Sequence, residues 1–165
     1  MTSTLLAAAT ETAAFVLFYA AAAVLTIIDL RTLRLPDRIL LPSMAGVVGL
    51  FLATTVTLGA HERLSNAVLL ANLSVVIHLA LHLANRAALG FGDVKLSALT
   101  GLVSAWLGVE VWLASLVTSF LAAGMGAGVL IATRRIRKTE PIAFGPWMLL
   151  ATTGVVGSTF WGNLW

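Results

Sequence analysis

The chain contains no cysteine. That excludes disulfides, thiolate catalysis and cysteine-based zinc sites. Charge is also scarce: only 10% of residues are Asp, Glu, Lys or Arg, against roughly 25% in a soluble domain. Hydrophobic residues make up 59% of the chain and the mean hydropathy is +1.00. A soluble fold of this size cannot hide so much apolar surface, because small domains leave much of their surface in water. The composition predicts an integral membrane protein with the lipid bilayer as its solvent. No polar stretch is long enough for a second globule or a linker, so one membrane-embedded domain over residues 1–165 is expected. No Lys or Arg precedes the first apolar run, which argues against a cleaved signal peptide. The pI near 10.2 would suggest nucleic acid in a soluble protein. Here the basic residues fall between apolar segments, and no nucleic-acid partner is expected.

What is present is a set of apolar segments of spanning length, about 20 residues each. The punctuation predicts an all-α, polytopic protein with about six transmembrane helices. These run from about Leu5 to Ile28, Ile39 to Leu58, Ala67 to Ala84, Val94 to Leu107, Val111 to Thr133 and Pro146 to Leu164. Pro146 suits a first helical turn, where its missing N–H is not needed. Nine of the ten basic residues fall in the first, third and fifth loops, and Arg63 alone lies in an even-numbered loop. The positive-inside rule then makes the odd loops cytoplasmic and turns both termini outward. The cluster RRIRK at 134–138 is read as fixing this orientation.

Two acids interrupt the apolar pattern on the same side. Asp29 ends the first segment and Asp93 opens the fourth. Ionisable groups at a membrane boundary are costly and are functional candidates by default. Two carboxylates held close share a proton, and such a pair can activate water: one takes the proton of the attacking water while the other polarises the peptide carbonyl. This chemistry needs no metal and no other cofactor. Asp93 lies in GFGDVKL (90–96), where Gly90 and Gly92 leave the backbone bare for a close-approaching substrate. Taken alone, the Gly-x-Gly-Asp run is a weak signal that a solvated turn can produce. Its pairing with Asp29 points to catalysis.

GFGDVKL resembles the second catalytic motif of the type IV prepilin peptidases, the GxGD aspartic proteases of the inner membrane. IIDLRTLRLPDRILLP (27–42) is similar to the first motif, and PIAFGPWMLLA (141–151) to the PIPFGP-type segment before the last helix. The three occur in family order, and the likeness covers about residues 15 to 157. The resemblance implies a membrane aspartic endopeptidase that cuts the basic leader from prepilin-like or pseudopilin substrates at the cytoplasmic face of the inner membrane. Asp29 and Asp93 would be the catalytic pair, and Gly90, Gly92 and Lys95 would complete the second motif. The chain looks like the short, peptidase-only forms, without the cysteine-bearing zinc region or the methyltransferase activity of larger members. Ala143 stands where the family has proline. Two other readings stay open: a different GxGD intramembrane protease, whose first aspartate sits in a Tyr-Asp setting, and a non-enzymatic transporter or assembly factor whose acids relay protons. The oligomeric state is left open.

Other residues receive plainer readings. Asp37, after Pro36, is expected to be an N-cap acid. Lys95 either tunes a neighbouring carboxylate or snorkels to lipid headgroups. His78 and His82, four apart, are expected to hydrogen-bond between helices. Gly124 and Gly128 form a small-xxx-small pair, read as close packing within the monomer rather than a dimer face. Trp106, Trp112, Trp147, Trp161 and Trp165 are read as an interfacial belt.

Overall fold

Each apolar segment becomes one helix in the computed structural model, which describes residues 2–85, 89–133 and 144–162. The helices are α1 (Thr2–Thr32), α2 (Asp37–Leu58), α3 (His61–Ala84), α4 (Phe91–Trp106), α5 (Val109–Ala132) and α6 (Gly145–Gly162). Four of them, α1, α2, α3 and α5, are each long and apolar enough to cross a membrane. The chain is thus a multi-pass, all-helical protein of the predicted kind. RRIRK, Arg86, Ala143, Leu164 and Trp165 lie outside the described residues.

Several helices run past their apolar stretches. α1 continues to Thr32, so Asp29 sits inside its last turn rather than in a loop. α3 begins at His61, with Glu62 in its first turn, where a negative charge complements the helix dipole. The break expected over residues 60–66 shrinks to a tight corner at Gly59, whose φ of 68° ends α2 and whose N–H caps the carbonyl of Thr55.

The short helix α4 forms the centre. Its buried residues run almost without interruption from Asp93 to Trp106, and it packs against α3 on one side and α5 and α6 on the others. Its hydroxyls are satisfied within the helix: Ser97 donates to the carbonyl of Val94 (2.7 Å) and Ser104 to that of Thr100 (2.7 Å). Buried polar groups of this kind are tolerated because they are hydrogen-bonded. Gly101 allows α3 to come close. A Cβ there would lie 2.6 Å from Ser74 Oγ and 3.1 Å from the Ala71 backbone.

At the end of the bundle remote from Asp29, three elements are joined by one carboxylate. Glu11 of α1 accepts hydrogen bonds from Arg63 Nη2 of α3 (2.8 Å) and from Trp106 Nε1 of α4 (2.9 Å). Arg63 Nε also donates to the Trp106 carbonyl (2.7 Å), and the Trp106 ring stacks on Phe51 at 4.0 Å. The belt reading fails for two of the tryptophans. Trp106 and Trp112 are buried, and Trp112 Nε1 donates to Ser74 Oγ (2.8 Å). Both indole N–H groups find internal partners stronger than the membrane interface offers.

Two further expectations are corrected. Neither Gly124 nor Gly128 has anything within 4 Å of its Cβ position, and both face outward; Gly126, between them, meets the Trp147 ring. The helical period puts the packed glycine on the opposite face from the small pair. The histidines do not bond between helices. His78 Nδ1 pairs with the Ser74 carbonyl of its own helix (2.8 Å), and His82 Nδ1 with the carbonyl of Leu89 in the following loop (2.7 Å). The buried His78 ring instead packs against Phe120 and Phe144.

Candidate active site

Asp29 and Asp93 are both buried, and each is placed by its helix. Asp29 belongs to the last turn of α1. Its carbonyl accepts the N–H of Leu33 (2.8 Å), which takes the left-handed conformation (φ 52°) and turns the chain away from the helix. That conformation usually falls to glycine or asparagine. Asp93 is the third residue of α4, before the apolar stretch begins. Its Oδ2 accepts the N–H of Gly90, the residue that caps the helix, at 3.2 Å. This is half of a capping box, with the acid reaching back to a donor that the helix start leaves unpaired.

The third side of the site is the first residue of α6. The Gly145 N–H hydrogen-bonds Asp93. A Cβ placed on Gly145 would stand 2.7 Å from Asp29 Oδ2 and 3.2 Å from Asp93 Oδ1. The two carboxylate oxygens are therefore no farther apart than those distances laid end to end, which a single bridging water can span. Gly145 was not among the residues singled out from the sequence. Its signal was the PIAFGPWMLLA segment, which contains Gly145 but was read for its family likeness without assigning the glycine a role. Phe144, just before it, is held by ring contacts to His78 at 5.9 Å and Phe120 at 5.4 Å.

Burial and the nearby charge of Asp29 push the Asp93 carboxyl up to about 7 against the opposing pull of the Gly90 and Gly145 N–H groups. Two carboxylates converging in a desolvated place cannot both ionise readily, so one proton is shared by the pair. Such a pair holds a base and an acid side by side, the combination that water activation requires.

The carboxylates open into a basin of about 350 Å³ between the α1–α2 corner and the start of α4, lined in part by Leu33, Arg34 and Leu35. Gly90 and Gly92 lie in its wall. A side chain at Gly92 would crowd Leu35 at 3.3 Å, so this glycine lets the α1–α2 loop close over the start of α4. Lys95 lines the basin too, but its Nζ pairs with both oxygens of Asp37 (2.8 and 2.9 Å). Asp37 is accordingly not the N-cap of α2. That position is Pro36, and Asp37 is the first helical residue, its carboxylate turned to Lys95. The carboxylate expected to cap the helix is instead engaged by a cation 58 residues away.

The comparisons with known proteins bear on the family. The type IV leader peptidase family model matches residues 16–132. Similar curated proteins include the prepilin leader peptidase/N-methyltransferase of Aeromonas hydrophila, 35% identical over 77% of this chain and 43% of that protein. That of Pectobacterium carotovorum subsp. carotovorum is 37% identical over 81% and 46%. That of Escherichia coli (strain K12) is 30% identical over 91% and 65%. The chain thus spans less than half the length of the first two. No solved structure matches it. With the family model covering most of the chain, from α1 through α5, this protein belongs to the type IV leader peptidase family.

Proposed function

We propose that the protein is a membrane aspartic endopeptidase that removes the basic leader from prepilin-like or pseudopilin substrates, with Asp29 and Asp93 as its catalytic pair. The observation that carries this reading is the convergence of Asp29 Oδ2 and Asp93 Oδ1 on the bare face of Gly145. Asp93, whose carboxyl is pushed up to about 7, holds the shared proton near neutrality. Asp29 is then the base. A water between them gives a proton to Asp29 as its oxygen attacks the peptide carbonyl. The Asp93 proton goes to the carbonyl oxygen, giving a gem-diol. Asp29 then passes its proton to the amide nitrogen and a gem-diol hydroxyl returns one to Asp93 as the C–N bond breaks, releasing the leader's carboxyl group and a new amino terminus. Gly145, Gly90 and Gly92 keep side chains away from that approach, and Lys95 with Asp37 braces the basin wall.

The site faces the cytoplasm in this reading. It lies where α1 ends and α4 begins, the end that also carries Arg31, Arg34, Arg38 and Lys95, whereas Arg63 is at the opposite end. That asymmetry orients a bacterial inner-membrane protein. The whole chain acts as one domain, with no cofactor.

The test is cleavage in membranes. Wild type, Asp29→Asn and Asp93→Asn are expressed with a prepilin from the same genome, and leader loss is followed by mass. Wild type cuts and both variants fall by at least about 10³-fold while remaining folded. If either variant cuts at the wild-type rate, the pair is not the catalytic centre.

A further inference from the structure

A second cavity lies about one helical turn from the site. It lies between α1 and α6, has a volume of about 590 Å³, and is lined by Tyr19, Ala22, Ala23 and Thr26 of α1 and by Leu149 and Gly154 of α6, among others. None of its lining residues is charged. Tyr19 closes one end, its hydroxyl donating to the Thr153 carbonyl at 3.1 Å. The other end stops at Thr26 and Ile27, one turn short of Asp29. Ala22, Thr26 and Asp29 follow one another at helical spacing on the same face of α1. On α6, Leu149 lies one turn beyond Gly145 on the same face. From Tyr19 to Ile27 the groove runs about 12 Å along α1, at 1.5 Å per residue.

We infer that this groove seats the apolar segment of the substrate as a helix, so that the bond to be cut emerges at its Asp29 end and the leader passes on into the polar basin. The inference rests on the peptidase reading above. Three features select a helix of another protein as the occupant. The walls are apolar and uncharged, matching a bilayer-embedded segment. Ala22, Ala23 and Gly154 are small, and small residues let helix backbones approach closely within a membrane. The groove also ends at Thr26 and Leu149, one turn from Asp29 and Gly145, so an occupant following it reaches the carboxylates with its apolar part on one side and the polar basin on the other. A lipid chain fits the first feature but gains nothing from the third. Cleavage at an apolar–polar boundary then follows from the succession of two differently lined cavities, and recognition requires no separate binding domain.

The test has two arms. In the first, p-benzoyl-phenylalanine replaces Ala23 or Leu150 in the groove, or the outward-facing Val56 or Met125 elsewhere, in an Asp93→Asn background. Crosslinking to the prepilin is then measured. The groove positions are expected to label at least about fivefold more strongly than the controls. In the second arm, Ala23→Trp and Gly154→Trp fill the groove. Gly154 has nothing within 4 Å of its Cβ position and Ala23 is exposed, so the bulk enters the groove and not the core. Both are expected to lower kcat/KM for prepilin at least about tenfold, mainly through KM. Even labelling at all four positions, as a lipid-filled groove would produce, overturns the inference. So does wild-type cleavage by both tryptophan variants. If wild type itself cuts no prepilin, the peptidase reading falls and this one with it.

Discussion

Gly145→Ala separates chemistry from stability more sharply than any change at the aspartates. The added methyl would lie 2.7 Å from Asp29 Oδ2 and 3.2 Å from Asp93 Oδ1, where ordinary contact begins at 3.4 Å. Asp29 must therefore retreat by about 0.7 Å. The atom that moves is the end of a rotatable side chain rather than backbone, so the fold is expected to lose less than about 1 kcal/mol, within the range of a tolerated substitution. The chemistry is less forgiving. A misplacement of about 1 Å at a reacting centre costs on the order of 10²-fold in rate, which corresponds to about 2.7 kcal/mol of activation free energy. The methyl also occupies the space between the oxygens where the attacking water is placed. The assay is leader cleavage by solubilised enzyme, beside a thermal melt of the same preparation. The expected result is a rate lowered about 10²-fold with a melting temperature within a few degrees of wild type. Cleavage within about threefold of wild type would refute the placement of the water and substrate carbonyl against Gly145.

Two further predictions concern protons and packing. Burial first, and the nearby Asp29 charge second, hold the Asp93 carboxyl at about 7. Since Asp93 must be protonated to donate, activity is expected to fall as pH rises through about 7, and a pH–rate profile flat to pH 9 would contradict the assignment of Asp93 as the acid. Gly101→Ala is expected to behave in the opposite way to Gly145→Ala. Its methyl meets Ser74 Oγ at 2.6 Å and the Ala71 backbone at 3.1 Å, so α3 and α4 must part. Overpacking of this kind costs about 1–3 kcal/mol, read as a lowered melting temperature with activity that survives in the folded fraction.

The span count was legible because apolar runs and their punctuation are local, and the acids stood out because charge is rare enough for each one to matter. Helix ends were less legible. α1 and α3 run on through Asp29 and His61–Asn66, since a helix meeting the polar boundary of a membrane keeps its hydrogen bonds whatever the polarity of its side chains. What stayed hidden depended on distant partners. Glu11 is 95 residues from Trp106, and Asp37 is 58 from Lys95. A tryptophan near a span end reads as interfacial until the carboxylate that takes its N–H is found. Gly145 was hidden for the same reason. The PIAFGPWMLLA segment marks the start of that helix, but no local pattern says that its glycine will close a site begun by α1 and α4.

That closure gives the site an order in time. The chain is made from its amino terminus, so Asp29 is made before Asp93, which takes its place once α4 has settled against α3. Neither meets Gly145 until α6, the final helix, has come into place. A growing chain thus carries both acids while α5 is made, without the wall that brings them to bear on one point. On the reading proposed here, a protease held in the same membrane as its substrates acquires its activity only with the segment that carries Gly145, and a chain stopped after Thr133 holds both Asp29 and Asp93 and no enzyme.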